Sequence, residues 1–133
     1  MKIGVRAHDY GKHSIEGLAS LLREEGYDGA QLALPKVFEE IDSYEDIRLS
    51  HIERIRRAFE KNRVEIPVMG CYMDLGNPDR SVREYAVETL KNCLLYAKEM
   101  GAGVVGTETA YPRLSREERA AWCPYMMDSL MRV

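Results

Sequence analysis

Four times along the chain a short apolar run is followed by a longer stretch whose apolar residues recur at helical spacing, and this alternation limits the possible folds more than any other feature. The first run lies in Lys2–Ala7, where Ile3 and Val5 precede polar His8 and Asp9. Ser14 then opens a helix carrying Ile15, Leu18, Leu21 and Leu22, and Gly26 stands where a left-handed C-terminal cap belongs. The second run, Ala30–Leu34, stops at Pro35, which lacks a backbone donor. Residues 36–49 hold Val37, Phe38 and Ile41 in a polar setting, enough for a helical turn within a loop. Ser50-His51-Ile52-Glu53 matches a capping box and opens a helix with Ile52, Ile55 and Phe59 inward. The third run, Ile66–Tyr72, leads through Asp74 to the turn Gly76-Asn77-Pro78-Asp79. The longest helix is expected over Arg80–Met100, with Val82, Ala86, Leu90, Leu94, Ala97 and Met100 as its inward stripe and Gly101 as its stop. Gly103–Thr107 is the fourth run, read as buried and ending at Glu108. A second capping box, Ser115-Arg116-Glu117-Glu118, starts a last helix through Trp122, Met126, Met127 and Leu130, expected to kink or restart at Pro124.

Strands joined by crossovers of this length must lie parallel, with helices packed on the sheet. Their starts, near Ile3, Ala30, Ile66 and Gly103, are spaced by about 33 residues, so a closed barrel of eight such units would need about 265, close to the ~250 typical of that architecture. The 133 residues present are half of that. At 45% hydrophobic and 31% charged, the composition is that of one ordinary folded domain over 1–133 and argues against disorder. Nineteen Lys and Arg against 22 Asp and Glu leave a net charge of −3, which disfavours a general nucleic-acid binder. No apolar run nears the ~20 residues that span a bilayer, and no signal-peptide core follows Met1. Three widely spaced cysteines, Cys71, Cys93 and Cys123, with no CxxC pair, read as reduced thiols in a cytoplasmic protein.

Several segments carry a family resemblance: Lys2-Ile3-Gly4-Val5-Arg6-Ala7-His8-Asp9; Tyr27-Asp28-Gly29-Ala30-Gln31-Leu32; Met69-Gly70-Cys71-Tyr72 followed by Asn77-Pro78-Asp79; and Gly101-Ala102 through Gly106-Thr107-Glu108-Thr109. In their order and spacing the chain resembles the N-terminal half of the xylose isomerase-like barrel superfamily, in particular the sugar phosphate isomerases and epimerases. The resemblance implies an α/β fold of four βα units of a (β/α)8 TIM barrel. It implies a sugar or sugar phosphate as partner and a divalent metal (Mn, Mg, Co or Zn) in the full-length enzyme. In that family the metal ligands and the acid/base Glu pair come mainly from strands five to eight. The expectation is therefore an N-terminal half that breaks off inside its fourth helix near Asp128–Val133, binds no metal itself and is inactive alone.

Barrel active sites lie at the C-terminal ends of the strands. The polar residues there are His8, Asp9, Gln31, Tyr72, Asp74, Thr107 and Glu108. Glu108 is the catalytic candidate, because a carboxylate past a buried apolar strand suits proton transfer or the holding of a sugar hydroxyl. His8, Tyr72 and Asp74 are the substrate-binding candidates; no residue is assigned to a metal. Tyr72 and Trp122 could wall a sugar ring, although aromatic residues more often serve the core. Cys71 reads as a packed core thiol, and His13 and His51 as solvent-facing residues at helix starts. Gly101-Ala102-Gly103-Val104-Val105-Gly106 spells GxGxxG, but a helix precedes it and a strand contains it, the reverse of a dinucleotide site. Arg54, Arg56, Arg57 and Lys61 are interleaved by Glu53 and Glu60, the pattern of a solvated helix face. The alternative architecture is a doubly wound receiver-like module with Asp74 as phosphoacceptor and Thr107 as switch hydroxyl. Four parallel strands would leave two sheet edges and an inner face uncovered, so self-association or a complementing half-barrel is expected.

Overall fold

The computed structural model describes residues 1–108 and 114–133. Its elements run β1 (Gly4–Arg6), α1 (Ile15–Glu24), β2 (Gly29–Leu32), α2 (Leu34–Val37), α3 (Leu49–Asn62), β3 (Glu65–Gly70), α4 (Arg80–Met100), β4 (Val104–Gly106) and α5 (Arg116–Met131), with 3-10 turns at Ala7–Tyr10 and Tyr44–Asp46. All neighbouring strands are parallel, and their order in the sheet is β1-β2-β3-β4. Sheet order that follows chain order, with no reversal, is that of a barrel wall. A doubly wound module needs a point where the order reverses. The receiver-like alternative is thereby overturned, and with it Asp74 as a phosphoacceptor at a strand end: Asp74 lies in the loop beyond β3.

Paired residues of parallel strands point to the same side, and successive residues alternate. Arg6, Gln31, Val68 and Val104 therefore form one cross-strand row. Leu32, Met69 and Val105 form the row on the opposite face. Leu32 and Met69 are fully buried beneath the helices, whereas Val104 is 55% exposed. The core thus fills the space between one sheet face and the helices, and the other face is open. A register shift between Gly29–Glu65 and Gln31–Val68 gives β3 one extra residue beside Pro67. That shift lets Ile66 and Met69, three positions apart, both point into the core.

Several local expectations are met. Ser14 Oγ accepts the Gly17 N–H, and the chain leaves α1 through Gly26 at φ +86°. Ser115 and Glu118 cap α5 reciprocally, at 3.1 and 2.7 Å. α4 ends on Gly101 at φ +85°.

Other details differ. β2 stops at Leu32, because Leu34 opens α2 with Pro35 in its first turn, where a missing donor costs nothing. α3 begins at Leu49, so the Ser50–Glu53 box does not form. Arg48 occupies the capping position, its N–H donates to His51 Nδ1 at 3.4 Å, and its guanidinium donates to the Ile47 carbonyl at 3.1 Å. α4 buries Arg83, Ala86, Val87, Leu90, Cys93, Ala97 and Met100, while Val82 and Leu94 face solvent. β4 is an exposed edge and not a buried strand, and α5 runs through Pro124 without restarting. His13 is half-buried, with its ring Nε2 3.1 Å from the Tyr10 carbonyl, and does not face solvent. No helix among the described residues is long and apolar enough to cross a membrane.

Candidate functional site

Each strand delivers a polar side chain to the same end of the sheet. His8 comes from the turn after β1, Gln31 from β2, Tyr72 from just past β3, and Thr107 and Glu108 from just past β4. Tyr72 is the hub. Gln31 Nε2 donates to its hydroxyl oxygen at 2.6 Å, the His8 ring meets it edge-on at 6.0 Å, and the Lys36 ammonium lies 4.6 Å from its ring centre. The ring lies over Gly70, where a Cβ would come within 3.0 Å of its Cζ and hydroxyl oxygen. Tyr44 secures the backbone there, donating to the Gly70 carbonyl and accepting the Tyr72 N–H, both at 3.2 Å. Burial pushes the Tyr44 phenol well above its ordinary range.

A cavity of about 520 Å³ opens in front of Tyr72, bounded also by Lys36, Asp74, Glu108, Arg119 and Trp122. Three of the four residues proposed from sequence, Tyr72, Asp74 and Glu108, thus share one wall-bound space. The fourth, His8, reaches it only through the Tyr72 ring. Asp74 accepts a 2.6 Å bond from Asn77 Nδ2, which fixes its carboxylate in the loop. The same loop is clamped by buried Arg83, whose Nη1 donates to the carbonyls of Asn77 and Pro78 at 2.7 and 2.9 Å. The Arg83 guanidinium also stacks at 4.7 Å on Tyr125, tying the loop to α5. Glu108 is exposed, two residues past the edge strand β4, so the buried setting expected for it is absent.

Burial, then the Glu108 carboxylate, holds the Tyr72 proton more tightly than usual, against the opposing pull of Arg6. Because Gln31 occupies an acceptor position on the phenol oxygen, the Tyr72 proton is available to a ligand. Burial, then the Arg6 guanidinium, lowers the His8 pKa below its ordinary 6.5, so the imidazole is neutral at pH 7. Among the described residues, His8 Nδ1 and Thr107 Oγ1 are both buried without a hydrogen-bond partner, which leaves two polar atoms in this region able to bind water or ligand. Cys71 is a free core thiol, as expected, its pKa pushed far up by its hydrogen bond with the Cys93 thiol and by burial.

Lys36, Tyr44, Arg119 and Cys123 were not legible as site residues. Lys36 follows the proline that ends the second apolar run, and this was the one signal that could have marked it as a mouth residue. Arg119 and Cys123 arrive from α5 with no pattern to distinguish them from surface positions. Trp122, by contrast, does stand in the wall with Tyr72. As for a divalent cation, no three His, Cys, Asp or Glu side chains converge among the described residues.

The sequence of residues 19–133 matches the family model described as the xylose isomerase-like TIM barrel. No curated protein matches the chain. Among solved structures, D-psicose 3-epimerase, determined with D-fructose, aligns over 97% of this chain and 50% of its own, at 12% identity and a TM-score of 0.65. The 3-keto-D-glucoside 4-epimerase YcjR of E. coli aligns over 98% and 49%, at 17% identity and 0.68. The probable 3-DHS dehydratase AsbF of Bacillus anthracis aligns over 99% and 49%, at 13% identity and 0.65. The chain spans about half the length of these structures, and the likeness extends through all four strands and the helices between them. With sheet order following chain order, a mouth built from the strand ends and a family match over most of its length, the chain belongs to the xylose isomerase-like TIM-barrel family, as four βα units of that barrel.

Proposed function

We propose that the mouth around Tyr72 is the sugar-binding half of an isomerase or epimerase site. The observation that carries this reading is the cavity itself, in which Tyr72 and Trp122 supply apolar faces for ring carbons while Asp74 and Glu108 supply acceptors for hydroxyls. That mixture of flat apolar surface and converging polar groups suits a polyol. Two of the structural relatives are epimerases of sugars or glycosides, which agrees with it.

The reaction in this reading is proton transfer next to a carbonyl. The Glu108 carboxylate takes a proton from the carbon beside the carbonyl, the C–H electron pair becomes a C=C bond, and the carbonyl oxygen takes the negative charge. The Tyr72 hydroxyl, held by Gln31, donates a hydrogen bond to that oxygen. Return of that proton from Glu108 to the neighbouring carbon gives the isomer, and delivery of a proton by a second acid, on the other face of the same carbon, gives the epimer. The divalent cation implied by the family has no ligand set among the described residues. The partner in the reaction is a small sugar or sugar phosphate. The four units alone are expected to bind without turning over.

An NMR titration with D-fructose tests this. Amide shifts are expected at Gln31, Tyr72, Asp74 and Glu108, and Glu108→Gln is expected to weaken binding about tenfold, or about 1.4 kcal/mol. Shifts confined to other surfaces would refute the site. Metal-dependent turnover by a confirmed monomer would refute the claim that the half is inactive.

A further inference from the structure

β2 ends before its neighbour does. The last pair between the two strands is Leu32–Met69, after which the chain turns into α2 at Leu34. β3 runs on, and toward β4 its ladder continues, with the Cys71 N–H donating to the Gly106 carbonyl at 2.8 Å. Backbone groups alternate in direction along a strand, so the Gly70 carbonyl and the Tyr72 N–H are turned to the side that β2 has left. In a parallel ladder one residue bonds a carbonyl and the N–H two residues further along the facing strand. The Tyr44 hydroxyl does both: it donates to the Gly70 carbonyl and accepts the Tyr72 N–H, each at 3.2 Å. One side-chain oxygen thus takes the place of the strand residue that would have faced Cys71.

The phenol is built into that position. It opens the 3-10 turn Tyr44–Asp46, which the Asp46 carboxylate closes by accepting the Ser43 N–H and hydroxyl at 2.9 and 2.8 Å. Its ring packs against the core, and burial holds its proton, so the hydroxyl stays a donor. Removing the oxygen would take this partner from both backbone groups, in a stretch where Gly70 and Cys71 are buried. The bond from Gln31 to the Tyr72 hydroxyl is 2.6 Å long, so a backbone displacement of about 1 Å would carry it past hydrogen-bond range.

We propose that Tyr44 is a positioning residue for the mouth: standing in for a residue of β2, its hydroxyl fixes the backbone from which Tyr72 projects and keeps the Tyr72 phenol within reach of Gln31 and of a ligand. The consequence for ligand binding rests on the sugar-site reading above, and the consequence for Tyr72 itself does not. In this role Tyr44 acts only through Tyr72.

Tyr44→Phe, made in the whole chain, removes the oxygen and keeps the ring. Tyr96→Phe is the control, because the Tyr96 hydroxyl lies beside the same outer groove and donates at 3.5 Å to the Ile47 carbonyl, not to the mouth. Three signals are read: amide hydrogen exchange at Tyr72, the side-chain amide resonances of Gln31, and D-fructose affinity from the fluorescence of Trp122, the only tryptophan, which stands in the cavity wall. In Tyr44→Phe the Tyr72 amide is expected to exchange at least about tenfold faster, the Gln31 resonances to move, and D-fructose to bind about fivefold more weakly. Tyr96→Phe should leave all three unchanged. A lowered thermal midpoint with the Tyr72 and Gln31 signals in place would overturn the inference, since a merely stabilising tyrosine gives that result. Moved signals with unchanged D-fructose affinity would also overturn it and leave the sugar site standing. No D-fructose binding by the unaltered chain would overturn the sugar reading alone, and the exchange and Gln31 signals then decide the role of Tyr44. If Tyr44→Phe does not fold, the unaltered chain decides: a nuclear Overhauser contact between the Tyr44 hydroxyl proton and the Tyr72 amide proton is expected, and its absence would refute the bond on which the role depends.

Discussion

Tyr72 depends on what its neighbours lack. The ring can lie across β3 only because residue 70 has no side chain, since a Cβ there would stand 3.0 Å from the phenol carbon and oxygen. Gly70→Ala is therefore expected to lift the ring away from Gln31 and weaken sugar binding about tenfold with little change in fold, as read by ligand titration alongside circular dichroism. His8 gives a pH signature. Its folded pKa lies below the unfolded 6.5, so the unfolded chain binds the extra proton first. Its contribution to stability is complete above pH 6.5 and is lost as the pH falls through that value toward the lower, folded pKa. The thermal midpoint should drop between pH 7 and 5, and His8→Asn should flatten part of that slope. At this scale the sequence was informative where position along a strand decided the outcome. Tyr72, Asp74 and Glu108 could be placed at one mouth because strand ends converge. Lys36 and Arg119 could not, because their arrival there depends on how α2 and α5 fold back over the sheet, which no local pattern encodes.

The same contrast holds for whole elements. Every strand and long helix was legible from periodicity, and most discrepancies concern which side of an element is buried. In α4 the expected stripe steps by four from Val82 to Leu94, which drifts around a helix of 3.6 residues per turn. The buried set mixes steps of three and four, from Ala86 and Val87 through Leu90, Cys93 and Ala97 to Met100. The two stripes make different predictions at single sites. Val87→Ala should cost roughly 1–3 kcal/mol, because Val87 is fully buried. Leu94→Gln should stay within about 0.5 kcal/mol, because Leu94 is 44% exposed. Chemical denaturation of the two variants decides between them. A reversed ranking would restore the stripe with Leu94 inside. The start of α3 differs for a related reason: Arg48, bonded to the carbonyls of the preceding turn, takes over the entry to the helix two residues before the serine that looks like its cap.

For the molecule as a whole, half of a barrel wall has a covered side and an open one. The row Arg6, Gln31, Val68 and Val104, together with the outer edges of β1 and β4, has no covering element among the described residues. Leu95, Met127 and Met131 add exposed apolar surface on the helices. Such edges and faces favour association. We therefore expect a native mass near twice 15.2 kDa at micromolar concentration, measured by light scattering. A monomer that binds no hydrophobic dye would contradict it. The repeat of strand and helix was enough to read this architecture, because short crossovers admit few arrangements. The closure of the wall was not readable, since it depends on surfaces that meet across the barrel axis.

Sheet order that follows chain order also bears on how the polypeptide is made. Each strand pairs with the one synthesised just before it, and α3 and α4 pack on helices already formed. A chain leaving the ribosome N-terminus first could add one βα unit at a time to an existing surface, with no strand waiting for a distant partner. The newest strand is then always the exposed edge, so the growing protein carries at every stage the template on which its next segment assembles.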